Sequence, residues 1–473
     1  MRAAFIHRRC SRKSLLVAVI TLAIARTILS FPVGGTTTTK HRHSVRLLNA
    51  NNKKDTVIHF NHAGASPSPS SAIERVVDHM YLEQRLGGYA AAGAVKEQLD
   101  QVYENTARLL HASPSEIALV ESATVAWTRL FYAMVEYHEQ KTGDKVILVS
   151  EAEYAAQVVA MVKWADEHGR WKVLAIPSAL QEDGSSTGVV DLDILEQMLQ
   201  GQYETSKGTL DPESIALVCV THIPTNSGIM NPVETIGRLL RKYKNSAFYL
   251  VDACQSVGQR DVNVQDIHCH GLCGTGRKYL RAPRGSGFLF VDDATASMLR
   301  PSHVDHACAP LTAVPCTYPE NTDVRVDYRF REYAKRFEFW EASAANRLGF
   351  GEAVRYALED AGGMTAIAET IQLNALELQR RLRSVDKVTL YYSGTTSGIV
   401  TFQTDTEAAL VKEMLWAPDG NGNQFEVSVV PATSTPLDSA RTKVPDLVRA
   451  SISYTTTAAE IELFCKRLQE VLL

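Results

Sequence analysis

Between about Ile117 and Val291, short apolar runs alternate with amphipathic helical stretches, and this alternation narrows the possible folds more than any other feature of the chain. IALVE, KVILVS, KVLAIPS, SIALVCVTH, FYLVDACQ and GSGFLFV read as buried strands, with one more short strand just before Lys278. SATVAWTRLFYAMVEY, the stretch from Ala155 to His168, LDILEQMLQ and VETIGRLLRKYK carry helical spacing between them. The pattern predicts an α/β fold in which a mostly parallel sheet is sandwiched by helices. After about Phe330 the character changes. Two long helical patterns, over 338–360 and 364–384, precede the strands VTLYYS and GIVTFQT, a helix near EAALVKEML, the strands FEVSVV and LVRASISY, and a closing helix AAEIELFCKRLQEVL. This predicts a large domain over residues 56–330 and a smaller C-terminal α+β domain over 331–473, with the first residues of the large domain free to pack on the smaller one. A length of 473 residues suits two such units better than one.

The first 55 residues differ from the rest. Arg2, Arg8, Arg9, Arg12 and Lys13 precede the apolar run LLVAVITLAIA, and no acidic residue occurs before Asp55. The run has the length of a signal-peptide core and is short for a membrane span, and TTTTKHRHSVR after it is basic and hydroxyl-rich. Residues 1–55 therefore read as a targeting leader, for import into an organelle or entry into the secretory route. A membrane association follows only if the segment stays on as an uncleaved anchor. A net charge of −4 gives no electrostatic reason to expect nucleic acid as a partner. The eight cysteines form no repeating framework, and several lie inside apolar runs, so they read as reduced.

Four segments carry candidate chemistry. VDACQSVG places Asp252 and Gln255 just past a buried strand, where open α/β sheets bind ligands. A carboxylate there can keep a pyridine nitrogen protonated, although an Asp after a strand serves as readily as a turn or helix cap. CGTGRKYLRAPRGSGFLF holds Lys278 beside Arg277, with the Thr275 hydroxyl close in sequence. An imine-forming lysine needs such a confined setting with a neighbouring cation, and a basic surface turn is the plainer reading of the same residues. ESATVAWTR sets Ser122, Ala123 and Thr124 at a helix start, suited to phosphate or to ordinary capping. VRASISY puts Arg449 on a strand of the smaller domain, where its planar fork matches a carboxylate. HCHGLC offers His268, Cys269, His270 and Cys273, but the spacing fits no standard zinc site and no metal is expected.

The order of these motifs resembles the class-V aminotransferase family, which includes cysteine desulfurases, isopenicillin-N epimerase and kynureninase-like enzymes. The likeness runs from HFNHAGASPSP at residues 59–69 to the C-terminal helix, with Lys278 following Asp252 by 26 residues. Within the family it is similar to the ergothioneine-pathway C–S lyases through RLGGYAAAG, THIPTNSGIMNPV, RFEFWEAS, SGIVTF and VSVVPATSTPLDSARTKVPDLVRASISY. The resemblance implies the pyridoxal-phosphate fold type I, pyridoxal 5'-phosphate as cofactor, a small amino-acid-type substrate and a homodimer. It implies that Asp252 meets the ring nitrogen, Gln255 the ring hydroxyl and Lys278 the aldehyde carbon, with Ser122, Thr124, Thr275 and Arg277 on the phosphate. Arg449 and Asn61 would serve the substrate, and Lys278 would withdraw its α-proton. Tyr154 stands where the family carries a ring-stacking His, and either Thr225 or Asn226 lies near the ring hydroxyl. The reaction implied is C–S cleavage of a cysteine-derived S-conjugate or sulfoxide. An aminotransferase or epimerase would use the same core residues, and a non-catalytic member would have been free to lose them. Residues 317–464 contain no Cys, so the mobile nucleophilic thiol of a desulfurase is missing from the segment where it is expected.

Overall fold

The structure is a computed structural model that describes residues 56–182, 185–243, 246–313, 326–391, 397–443 and 445–473. The leader expected over residues 1–55 lies outside the described residues. Residues 54–473 form one compact unit. Its main sheet has seven strands: β1 (Ile117–Val120), β2 (Lys145–Ser150), β3 (Trp171–Ile176), β4 (Ile215–Thr221), β5 (Phe248–Asp252), β6 (Gly271–Thr275) and β7 (Gly287–Val291). Their spatial order is β1-β7-β6-β5-β4-β2-β3, and only β7 runs antiparallel to its neighbours. The mixed α/β architecture with a helix-covered, parallel-rich sheet is the one expected from the alternating pattern. Continuous burial of β1, β2, β4, β5, β6 and β7 explains why they read as unbroken apolar runs, since both faces of the sheet are covered.

Two apolar clusters flank this sheet. One includes Leu119, Leu148, Val218, Val251, Leu272 and Phe290, and the other Ala118, Ile147, Leu217, Leu250, Cys273 and Leu289. Helix Ala123–Glu139 lies on the second face and contributes Trp127, Leu130 and Phe131. A second sheet of four strands, β8 (Val388–Leu390), β9 (Ile399–Thr404), β10 (Ser428–Val430) and β11 (Leu447–Ser451), runs in the order β8-β9-β11-β10, is antiparallel throughout, and has its own apolar core around Phe402, Phe425 and Phe464.

Three local expectations are corrected. The helix expected from residue 338 begins at Ala344, with the Ser343 hydroxyl accepting from the Asn346 N–H. The preceding residues are extended because the Glu338 carboxylate is taken up by the Tyr103 hydroxyl at 2.9 Å, the Leu119 N–H at 2.8 Å and Arg347 at 3.2 Å. FEVSVV is not one strand. Asn423–Glu426 pairs in parallel with Thr56–His59, and after Val427 the chain turns into β10. Of VTLYYS, Val388–Leu390 forms β8, and the last two residues lie outside the described residues.

Candidate active site

Five strand ends of the main sheet open on one side into a cavity of about 260 Å³, whose far wall is β10 and β11 of the second sheet. Ten of the residues singled out from the sequence line it: Ser122, Thr124, Tyr154, Thr225, Asp252, Gln255, Thr275, Arg277, Lys278 and Arg449. Asn226 does not line it; its amide donates instead to the Pro431 carbonyl at 3.2 Å. Of the pair that the sequence left open, Thr225 therefore faces the cavity. Asn61 also stands back from the cavity, bonded to Glu426 at 3.1 Å and 3.5 Å from the Arg449 guanidinium, so it braces that arginine.

Asp252 ends β5, and its carboxylate is fixed from two sides. The Cys254 N–H reaches Oδ1 at 2.8 Å and the Gln157 amide reaches Oδ2 at 2.6 Å. Neither contact supplies charge, so the carboxylate stays an acceptor for a cation in the cavity. Gln157 escaped the sequence reading because it lies one turn into helix Ala155–Glu167, where a lone Gln carries no signal. The Gln255 amide donates to the Ala63 carbonyl and to the Thr225 hydroxyl, both at 3.1 Å. That hydroxyl also accepts from Arg449 at 2.7 Å. Arg449 reaches the Ser428 hydroxyl at 3.2 Å as well, which holds its plane across the cavity wall.

Lys278 follows β6, and burial lowers its pKa below the usual lysine value; Cys254 and Asp252 oppose that shift, while the charges of Arg277 and Arg449 add to it. A lysine with a weakened hold on its proton is what carbonyl capture requires. Arg277 is itself lowered by burial and by Arg284, and it donates to the Gly64 carbonyl. Ser122 caps helix Ala123–Glu139 by accepting from the Val125 N–H at 3.2 Å, so the open N–H groups of that helix face the cavity beside the Thr124 hydroxyl. Gly287 of β7 allows this approach: a Cβ there would stand 2.9 Å from the Ser122 backbone. The four residues of HCHGLC do not gather at one point. Cys269 and Cys273 pack into opposite faces of the sheet, and His270 accepts from the Tyr249 N–H at 2.9 Å.

The sequence pattern of the family described as Aminotransferase class-V matches residues 58–464. The chain belongs to that family. Among curated proteins, a probable cysteine desulfurase of Pyrococcus abyssi is 21% identical over 88% of this chain and 94% of its own length. Among solved structures, the apo cysteine desulfurase of Thermococcus onnurineus superposes with a TM-score of 0.72 at 21% identity, covering 88% of this chain and 94% of its own. A cystine C–S lyase in complex with its reaction product cysteine persulfide gives 0.68 at 19% identity, covering 87% and 97%. This class-V aminotransferase is a pyridoxal-phosphate enzyme of the lyase or transferase type. The residues present fit that cofactor. Gln157 Oε1, Gln255 Oε1 and Arg449 Nε are buried polar atoms without a hydrogen-bond partner, and all three belong to residues lining the cavity. Pyridoxal phosphate would offer hydrogen-bonding groups to these atoms, a protonated ring nitrogen to Asp252 and an anionic phosphate to the helix N-terminus.

Proposed function

We propose that this enzyme is a C–S lyase acting on a cysteine-derived S-conjugate or sulfoxide. One observation carries the reading. Among the described residues, the wall supplied by the second sheet presents Ser428, Val429, Val430, Pro431 and Ser434, and no thiol; the cysteine that lines the cavity, Cys254, stands on the main-sheet side just past β5. A sulfur group released from the β-carbon on that side meets no described thiol there to take it up as a persulfide, so it leaves the site as a free product.

When bound, pyridoxal phosphate supplies an electron sink that stabilises negative charge at the substrate's α-carbon. The chain's own residues do the rest. Ser122, Thr124, Thr275 and Arg277 would hold the phosphate, Asp252 the ring nitrogen, and Gln255 with Thr225 the ring hydroxyl. Arg449 binds the substrate carboxylate with its planar fork and so turns the α-hydrogen towards Lys278. The Lys278 amine, kept neutral more easily by burial, accepts that proton. Val430 and Ile223 line the cavity as apolar groups that exclude water there.

The deciding experiment incubates the enzyme with S-substituted cysteines and their sulfoxides. Release of pyruvate and ammonia in step with a sulfur product is expected. Amino-group exchange with added 2-oxo acids, or inversion at the α-carbon without pyruvate, would replace the lyase reading with an aminotransferase or an epimerase. Two companion proposals go with it. Helix Ser70–Leu86 exposes Ile73, Val77, Met80 and Tyr81 along one stripe, which supports a homodimer buried on that face. The basic composition of residues 1–55, with no acidic residue before Asp55, supports a targeting leader ahead of the catalytic unit.

A further inference from the structure

We propose that Glu153 is a protonated acid seated beside Asp252, acting as a positioning residue that sets the charge at the ring-nitrogen end of the cavity through Asp252 and Thr221. The inference rests on the reading of Asp252 as the partner of the cofactor's ring nitrogen.

Glu153 lies just past β2 beside Tyr154, and the two differ in surroundings: Tyr154 lines the cavity, while Glu153 is completely buried. Its two oxygens meet the Thr221 hydroxyl at 2.6 Å and the Ser150 hydroxyl at 3.1 Å. The charged group that acts most strongly on it is the carboxylate of Asp252, and neither of its hydrogen-bond partners is a cation. An unpaired carboxylate inside a protein keeps its proton rather than its charge. Burial accordingly pushes Glu153 up to about 8, and Asp252 pushes in the same direction against the hydrogen bonds from Thr221 and Ser150. The other ionisable groups that feel Glu153 are Cys219 of β4, Tyr249 of β5 and Cys273 of β6, and burial raises all three well above their ordinary values. Those three are neutral at pH 7 and add no charge beside Glu153.

A protonated Glu153 has to donate, and the short contact to Thr221 is the place to do so. The Thr221 oxygen then accepts, and its own hydrogen turns away from Glu153 towards the cavity that Thr221 lines. Thr221 is also the register partner of Asp252 across β4 and β5. The proton on Glu153 is therefore one hydroxyl away from the cofactor cavity and one strand away from the ring-nitrogen carboxylate. Since the Gln157 amide and the Cys254 N–H that fix Asp252 are uncharged, Glu153 is the group behind Asp252 that can change its charge. At neutral pH Glu153 adds no charge behind this end of the cavity, and in alkali it adds one.

The test uses full-length holoenzyme as wild type, Glu153→Gln and Thr221→Val. Infrared difference spectra between wild type and Glu153→Gln at pH 7 should contain the stretch of one protonated carboxyl group, and in wild type that band should fade as pH rises through about 8. Thr221→Val removes a donor that favours the ionised form, so its band should persist to higher pH. Gln copies the neutral acid, so Glu153→Gln should match the wild-type cofactor absorption at pH 7 and part from it in alkali. An absent carboxyl band, or a cofactor spectrum already shifted at pH 7 in Glu153→Gln, overturns the inference. A protein that takes up no pyridoxal phosphate would instead refute the cofactor reading, and the infrared comparison, which needs no cofactor, would still decide the state of Glu153. Should Glu153→Gln fail to fold, the pH displacement of the band between Thr221→Val and wild type decides it.

Discussion

Gly228 offers a sharp test of how the loop after β4 is held against the second sheet. Its φ is +69°, and a Cβ added there would lie 2.7 Å from Ile399 Cβ, 2.7 Å from the Ile399 carbonyl and 2.9 Å from Ser397 Oγ. The two nearest atoms are the branch point and the backbone of residue Ile399 in β9, so neither can swing aside. The Gly228 carbonyl also accepts the Ser397 hydroxyl at 2.6 Å, and its N–H closes on the Pro224 carbonyl at 3.0 Å. Gly228→Ala should therefore cost about 1–2 kcal/mol for the left-handed backbone and roughly another 1–3 kcal/mol for overpacking. Gly143→Ala is the control: its φ is +83°, but the nearest atom to an added Cβ is Lys145 Nζ at 3.9 Å, so only the backbone cost applies. At roughly 1 °C per kcal/mol for a chain of this size, Gly228→Ala should melt about 2–5 °C below wild type and Gly143→Ala about 1–2 °C below. Because Gly228 lies three residues past Thr225, the first variant should also loosen Thr225 from Gln255 and Arg449 and weaken cofactor retention. The second should leave retention unchanged. Equal melting temperatures and equal retention in the two variants would refute the steric argument.

Lys278→Ala should still bind pyridoxal phosphate but should no longer fix it covalently on borohydride reduction, with turnover down by at least about 100-fold; covalent trapping in the variant, read by mass spectrometry, would move the attachment elsewhere. Arg449→Met should weaken the binding of amino acids, read as the concentration that changes the cofactor spectrum, by about 2 kcal/mol or more, roughly 30-fold, while the cofactor itself stays bound. His62, His138 and His222 are buried and held neutral, His138 lowered to about 3 and His222 to about 4 by burial. Their folded values lie below the unfolded one, so the stability they contribute is complete above pH 6.5 and is lost as pH falls from there towards 4. Denaturation midpoints between pH 7 and 5 should drop, and His222→Gln should flatten that slope by about 1.4 kcal/mol per pH unit; an unchanged slope would mean that His222 is already charged.

The alternation that announced the sheet was legible because a parallel strand covered on both faces needs no polar positions, and the helices between strands keep their own period. Asp252 and Lys278 were legible for the same reason, since each comes at or just after the end of a strand whose direction fixes where that end opens, whereas the choice between Thr225 and Asn226 was left to the structure. Glu153 and Gln157 were not legible. Each acts on Asp252, which lies about 100 residues away in the chain and is brought close only by the order β5-β4-β2. The break after Val427 was equally hidden. Its residues keep strand-like alternation throughout, and only the competition between Thr56–His59 and β11 for pairing partners divides them. The late start of the helix at Ala344 also depends on distant groups, because Tyr103 and Leu119 claim the Glu338 carboxylate before a helix can include it.

Those distant contacts bear on why one set of residues can serve several reactions and yet be specialised here. Lys278, Asp252 and Gln255 stand on the main sheet, and nothing in their placement selects the bond to be broken. The second sheet contributes Arg449 from β11 and the stretch from Ser428 to Ser434 around β10, and these form the cavity wall opposite the main sheet. This wall is joined to the main sheet at few points near the cavity: Arg449 to Thr225, Asn226 to Pro431, and Arg441 to Glu151 at 2.7 Å. Glu151 sits two residues before Glu153, so the segment that shapes the side-chain pocket is anchored on the same turn that places the buried acid beside Asp252. A change in the 428–441 stretch can therefore alter which leaving group is accommodated without moving Lys278 or Asp252, whereas a change at the 150–154 turn must disturb pocket shape and ring-end charge together.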